Sequence, residues 1–117
     1  FLGWRNDVTT LMASVDLFVC PSRHEGLGSI VMESWAHRCP IVATNSQGPG
    51  EAITDGVSGL ITPIDDAAAL AKAILRVLDS EDLRQCLIEG GSQVYAEGYS
   101  KQHIVQQYVD FYSRIRR

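Results

Sequence analysis

The sequence predicts an α/β domain with a parallel sheet covered on both faces. Two observations carry this. Three short apolar runs, Leu17–Cys20, Pro40–Thr44 and Gly59–Thr62, lack polar alternation, as strands buried on both faces do. Between and after them lie stretches with helical periodicity, and strands alternating with helices make parallel crossovers.

In chain order, Phe1–Gly3 reads as the tail of a strand, which makes about four strands in all. Asp7–Ser14 carries Val8, Leu11 and Met12 at helical spacing, with Asn6 or Asp7 as N-cap. Leu17–Cys20 is a strand that stops at Pro21. Ser29 to about His37 is a helix packed through Ile30, Val31, Ser34 and Trp35. Pro40–Thr44 is a strand, its proline tolerable at the first position. Asn45–Gly50 is a polar, glycine-rich loop, and Glu51–Thr54 is at most one helical turn. Gly59–Thr62 is a strand. Asp65 or Asp66 caps a helix over 67–78 with Leu70, Ala71, Ile74, Leu75 and Leu78 on one face. Ser80 caps another helix, interrupted at Gly90-Gly91, with Gly98 as a candidate C-terminal cap. Ser100 caps a final helix, 101 to about 115, with a wide apolar face and Arg114, Arg116 and Arg117 at its C-terminal end.

At 117 residues the chain has room for one core. Apolar residues make up 45% and charged residues 21%, an ordinary globular balance. A net charge of −4 gives no support for nucleic-acid binding, yet leaves a local anion site open. No apolar run approaches the roughly 20 residues of a membrane span. Cys20, Cys39 and Cys86 are odd in number and lack metal-like spacing, which argues for a reducing cytoplasm. In parallel strands Cys20 and Cys39 lie at opposite sheet ends and cannot bridge. The chain opens on Phe1, so it reads as a piece of a longer polypeptide.

The stretch from Pro21 to Glu33 carries the chemistry. Strand, glycine loop and helix place backbone N–H groups around an anion. Gly26 and Gly28 let a ligand approach the backbone, and the Ser29 and Ile30 amides open the helix without intrahelical partners. Glu25 and Glu33 stand eight positions apart, one in the loop and one about a turn into the helix. Helical side chains tilt toward the N-terminus, which leans Glu33 back toward the loop. That arrangement suits an elongated ligand with a polar group on each side of a diphosphate. Against it stand plainer readings. Arg23 and His24 read as solvated loop residues, His37 and His103 as surface, Trp35 and the final helix's tyrosines as core. Glu51 either neighbours the cleft or caps its turn.

The pattern Pro21-Ser-x-x-Glu25-Gly-x-Gly28, then Glu33-x-x-Ala36, then Pro40-Ile-Val-Ala-Thr44 resembles the nucleotide-sugar half of GT-B glycosyltransferases. More narrowly it is similar to the retaining family four with its Glu-x7-Glu motif. The run from Gly48 to Ile61 matches as well, and the resemblance extends over nearly all of the chain. It implies that residues 1–117 are the C-terminal half of a Rossmann-like donor domain, helices 101–115 included. Glu25 would be catalytic, contacting the donor sugar's hydroxyls. The amides of Gly26, Leu27 and Gly28 would face the sugar and diphosphate, those of Ser29 and Ile30 the phosphates, and Glu33 the ribose. The reaction implied is sugar transfer from a nucleoside-diphosphate sugar to a glycan or lipid-linked acceptor, with retention and without a metal or other cofactor. The acceptor would reach the site through an N-terminal domain.

The family sheet runs 3-2-1-4-5-6, so the resemblance implies that strands 1 and 2 and their basic residues lie outside this chain. The Leu17–Cys20 strand would then have an open edge, and the isolated chain is expected to be inactive and to dimerise or swap elements. Arg38 stands where the family has glycine, with a strain cost expected if it is left-handed. Gln47 replaces the first of two glycines, a variant associated with bacterial envelope polysaccharide or lipopolysaccharide synthesis. Such an enzyme would be cytoplasmic, or peripheral at the inner membrane face. Two rival readings are a nucleotide-sugar isomerase and a flavodoxin-like interaction module. The Glu-x7-Glu spacing and the Pro40–Thr44 run argue against the first. No strand ends in the aspartate that the second needs.

Overall fold

The computed structural model describes residues 1–116. Three parallel strands form one sheet in the order β1 (Phe18–Cys20), β2 (Ile41–Thr44) and β3 (Leu60–Thr62). Their register pairs Cys20 with Ala43 and Thr44 with Thr62. The helices are α1 (Val8–Ser14), α2 (Ser29–Ala36), α3 (Gln47–Ala52), α4 (Ala67–Asp79), α5 (Glu81–Val94) and α6 (Lys101–Ile115). Phe1–Gly3 is irregular and exposed. No neighbouring strand is present there to supply a ladder, so the expected strand tail does not form. Arg117, expected at the end of α6, lies outside the described residues.

Both faces of the sheet are covered, as the non-alternating strands require. Ile41, Ala43 and Cys20 pack with Val31, Trp35 and Ile53 from the α2 and α3 side. Val42 and Leu60 pack with Ala73, Val77 and Leu87 from α4 and α5 on the other. The α4 face differs from expectation: Ala73 and Val77 are buried and Leu70 and Ile74 half-buried, while Leu75 and Leu78 are exposed. Lys72, Arg76 and Asp79 share the exposed side of the helix, and Leu70, Ala73, Ile74 and Val77 lie opposite them. Asp66, Ser80 and Ser100 cap α4, α5 and α6 by accepting from Ala69, Leu83 and His103 at 2.9, 3.1 and 3.2 Å. Asp7 precedes α1 without capping it, because its carboxylate is taken by Arg5.

Gly90-Gly91 does not break α5. It lets the helix approach the core, since a Cβ on Gly91 would lie 2.3 Å from the Trp35 ring. The Trp35 indole in turn donates to the Ser58 carbonyl at 2.8 Å. Beyond α5 a single π-helical turn, Tyr95–Tyr99, absorbs Gly98 and leads into α6. None of the α6 residues is fully buried, and Tyr108 and Tyr112 are exposed, not core. Among the described residues, no strand pairs with the outer edge of β1.

Helix α2 ends in a Schellman motif, with Cys39 N–H donating to the Ser34 carbonyl at 2.9 Å and Arg38 N–H to Trp35 at 3.1 Å. Its left-handed residue is Arg38, at φ 53°. The Arg38 guanidinium reaches across to Glu89 at 2.5 Å and Ser92 at 3.2 Å on α5. A left-handed L-residue costs about 1–2 kcal/mol, and an exposed ion pair returns at most about 1 kcal/mol. Arg38→Gly is therefore expected to be more stable than Arg38→Ala by about 1 kcal/mol, measured side by side by denaturant unfolding. Equal stability of the two would mean that the left-handed turn carries no strain.

Candidate functional site

Strand β1 stops at Pro21, which lacks an N–H and cannot extend the ladder. The chain turns at the carboxyl end of the sheet and enters α2 at Ser29. The loop between holds its shape through contacts with the start of α3. Gly48 N–H donates to the Glu25 carbonyl at 2.7 Å. Gly28, left-handed at φ 64°, lies directly on Gly48: a Cβ built on Gly48 would sit 2.3 Å from the Gly28 nitrogen. Two segments twenty residues apart thus meet backbone on backbone.

The amides of Gly26, Leu27, Gly28, Ser29 and Ile30 have no acceptor among the described residues. They form one uninterrupted run into the N-terminus of α2, where the helix dipole adds positive character. Glu25 is half-buried and Glu33 exposed, and neither carboxylate has a partner among the described residues. All seven sequence-predicted residues therefore lie on one loop–helix junction at the carboxyl end of β1.

Its surroundings are polar. Arg23 is committed to Asp65 at 2.5 Å, tying the loop to the turn before α4. His24 is exposed. A cleft of about 470 Å³ beside the loop is lined by Arg23, His24, Asn45, Ser46, Gln47, Gly50, Glu51 and Ile64. Glu51 thus neighbours a cleft. Ser46 is buried with no partner for its hydroxyl. Among the described residues no group of His, Cys, Asp and Glu could hold a metal ion. Among the described residues, no helix is long and apolar enough to cross a membrane.

Sequence reasoning missed three supports of this site. Helix α3 begins at Gln47, not at Glu51, because Pro49 is tolerated in a first turn and Gly48 and Pro49 are buried there. Gly48 looked like one more loop glycine, and nothing local marks which glycine touches Gly28. Thr44 completed an apolar run, yet its hydroxyl donates to the Ser22 carbonyl at 2.5 Å.

A glycine loop with a run of free amides, opening a helix at the end of a parallel strand, is the geometry in which α/β domains offer backbone donors to an anion. The chain belongs to the glycosyl transferases group 1 family, whose model matches residues 1–80. It is 38% identical to the lipopolysaccharide core biosynthesis glycosyltransferase LpsE of Rhizobium meliloti, over 93% of this chain and 32% of that protein. It is 32% identical to LpsD of the same organism, over 97% of this chain and 33% of that protein. The chain thus spans about a third of the length of these curated relatives. The fold matches Anabaena Alr3699/HepE, a crystal structure in complex with UDP, at TM-score 0.91 and 26% identity, covering 98% of this chain and 32% of that one. It also matches the C-terminal domain of LpcC, a group 1 family protein from Francisella tularensis, at TM-score 0.77 and 23% identity, over 86% of this chain and 52% of that one. The fold is that of the C-terminal domain of GT-B glycosyltransferases.

Gly48→Ala is expected to destabilise the protein by about 1–3 kcal/mol, because its Cβ has nowhere to go without moving the loop. Chemical denaturation checks this, with Gly26→Ala as the comparison, since a Cβ there meets nothing within 4 Å. A Gly48→Ala variant as stable as wild type would refute the backbone contact.

Proposed function

We propose that this chain is the donor-binding part of a retaining, Glu-x7-Glu type glycosyltransferase. The observation that carries the reading is the unpartnered amide run Gly26–Ile30 between two unpartnered carboxylates. In it, the Ser29 and Ile30 amides hold the phosphates of a nucleoside-diphosphate sugar. The amides of Gly26, Leu27 and Gly28 face the sugar and diphosphate. Glu33 accepts from the ribose diol, and Glu25 from hydroxyls of the donor sugar. UDP and UDP-glucose in structures of Anabaena HepE support a nucleotide-sugar donor.

As the bond from sugar to diphosphate lengthens, negative charge grows on the leaving group and positive charge on the sugar. Amides fixed before the reaction stabilise the first, and the Glu25 carboxylate, held beside the sugar, stabilises the second. The proton and acceptor chemistry lies with the acceptor and its binding domain. The family names of the relatives support bacterial envelope glycan or lipopolysaccharide synthesis. A cytoplasmic site fits three free cysteines. Residues 1–117 are read as a partial donor domain that needs further basic groups to neutralise the diphosphate. Alone, with the β1 edge open, the chain is expected to self-associate and to lack transferase activity. Sedimentation showing a monomer, or turnover by the isolated chain, would refute these two expectations.

In the full-length protein, UDP is expected to raise the melting temperature. Glu33→Ala should weaken UDP affinity roughly tenfold, the loss of one or two hydrogen bonds to a charged acceptor. Glu25→Ala should leave UDP affinity within about twofold and lower turnover at least a hundredfold, as loss of a group acting in the transition state does. Equal UDP affinity in wild type and Glu33→Ala, or undiminished turnover in Glu25→Ala, would sink the assignment.

A further inference from the structure

The free amides from Gly26 to Ile30 pose a mechanical problem. A loop whose own N–H groups bond nothing has no internal ladder to fix its shape. Neighbours must impose it, and three contacts do, beside a long bond from the Cys20 thiol to the Ser22 hydroxyl at 3.6 Å. Gly48 N–H holds the Glu25 carbonyl at 2.7 Å. The Arg23 guanidinium holds Asp65 at 2.5 Å, between side chains that are mostly exposed. Thr44, only 3% exposed, donates its hydroxyl to the Ser22 carbonyl at 2.5 Å, with the Cys20 carbonyl a weaker second acceptor at 3.3 Å.

These three are not equivalent. The exposed ion pair is screened by salt and worth little. The Gly48 contact is made by backbone. Of the three, Thr44 alone is a buried side chain. Its place follows from the register: Ala43 pairs with Cys20, so Thr44 stands where β1 gives out at Pro21. The ladder ends there, and a hydroxyl replaces it as donor.

We infer that Thr44 is a positioning residue for Glu25, an inference that rests on the donor-binding reading above. Its one hydroxyl proton fixes Ser22, three residues before Glu25, while Gly48 fixes Glu25 itself. The loop is thereby held on both sides of Arg23 and His24, and the Glu25 carboxylate is left free for a ligand. Helix α2 is anchored separately, through buried Val31 and Trp35. Loss of the Thr44 bond therefore moves the sugar end of the site and spares the phosphate and ribose end.

Valine and serine separate the two roles of this side chain. Thr44→Val keeps the shape and removes the donor; Thr44→Ser keeps the donor and removes a methyl group. In the full-length protein, UDP affinity is measured together with hydrolysis of a panel of UDP-, GDP- and ADP-sugars, in which water takes the sugar and the nucleoside diphosphate leaves. The expected result for Thr44→Val is UDP affinity within about twofold and kcat lowered roughly 10- to 100-fold, the cost of misplacing a reacting group by about 1 Å. Thr44→Ser is expected to restore turnover to within a few-fold of wild type. Undiminished kcat in Thr44→Val, with turnover lost in Glu25→Ala, overturns the positioning role and leaves the donor reading standing. Equal losses in the valine and serine variants, or UDP affinity falling in step with kcat, overturn it as well and assign Thr44 to packing. A wild type that consumes no donor in the panel, or a Glu25→Ala variant that keeps its turnover, overturns the donor reading beneath it. If Thr44→Val does not fold, Thr44→Cys, with a weaker and longer-reaching donor, is put through the same comparison against Thr44→Ser.

Discussion

The contact between the Gly28 and Gly48 backbones is the constraint on which the rest of this structure depends. Two segments from different crossovers come closer than side chains would allow. The approach demands a left-handed residue at Gly28, and glycine adopts that conformation at no steric cost. It brings the Gly48 N–H within 2.7 Å of the Glu25 carbonyl. It also sets the point at which the chain enters α2, and so where the first free amides of that helix lie. Any side chain at either position would separate the two crossovers and take the loop with it.

What the contact produces is a loop that is ordered without being satisfied. Five successive amides lack acceptors among the described residues; water can serve those of the exposed or half-buried Gly26, Leu27, Ser29 and Ile30, whereas Gly28 is buried against Gly48. An anion bound there, as proposed, would take the place of solvent at these donors. The donors do not have to reorganise, since their directions were fixed when the protein folded. The chain's net charge of −4 does not oppose this, because amide dipoles at contact distance outweigh dispersed surface charge screened by salt. The nearest cation, Arg23, is already paired with Asp65. The site among the described residues thus works through dipoles more than through formal charge. A diphosphate carries more charge than one helix end, at about half an elementary charge, can balance.

The legibility of the sequence followed the locality of each signal. Strands were legible because Phe18–Cys20, Ile41–Thr44 and Leu60–Thr62 are continuous apolar runs, and the caps because Asp66, Ser80 and Ser100 act within three residues of themselves. The loop and its two glutamates were legible as a contiguous pattern. Several failures were relations across the chain. Gly90-Gly91 looks like a helix breaker because the reasons for it, the Val57 carbonyl against Gly90 and the Trp35 ring against Gly91, lie far away in the chain. The α4 stripe differs for a local reason, since Lys72, Arg76 and Asp79 share the solvent side and the small Ala73 lies in the buried stripe opposite. Thr44 and Gly48 gave no sign of supporting the Glu25 loop, since a hydroxyl and a glycine are ordinary after a strand.

The spacing of the two glutamates then has a mechanical origin beyond sequence distance. Glu25 is set by the loop clamp, whereas Glu33 is set by the seating of α2. Trp35 seats that helix: its ring is 3% exposed, its indole N–H is bound to Ser58, and the Gly91 backbone lies against it. Residues two apart on an α-helix point about 200° from one another. Burying Trp35 therefore turns Glu33 outward, and Val31, two residues to the other side, is buried in the same sense. At its far end α2 is closed by the Schellman turn at Arg38, whose guanidinium ties it again to α5. The helix cannot rotate about its axis without breaking one of these seats. A ligand spanning both carboxylates, as proposed, would meet two groups fixed by separate parts of the core, one through the α3 backbone and one through α5.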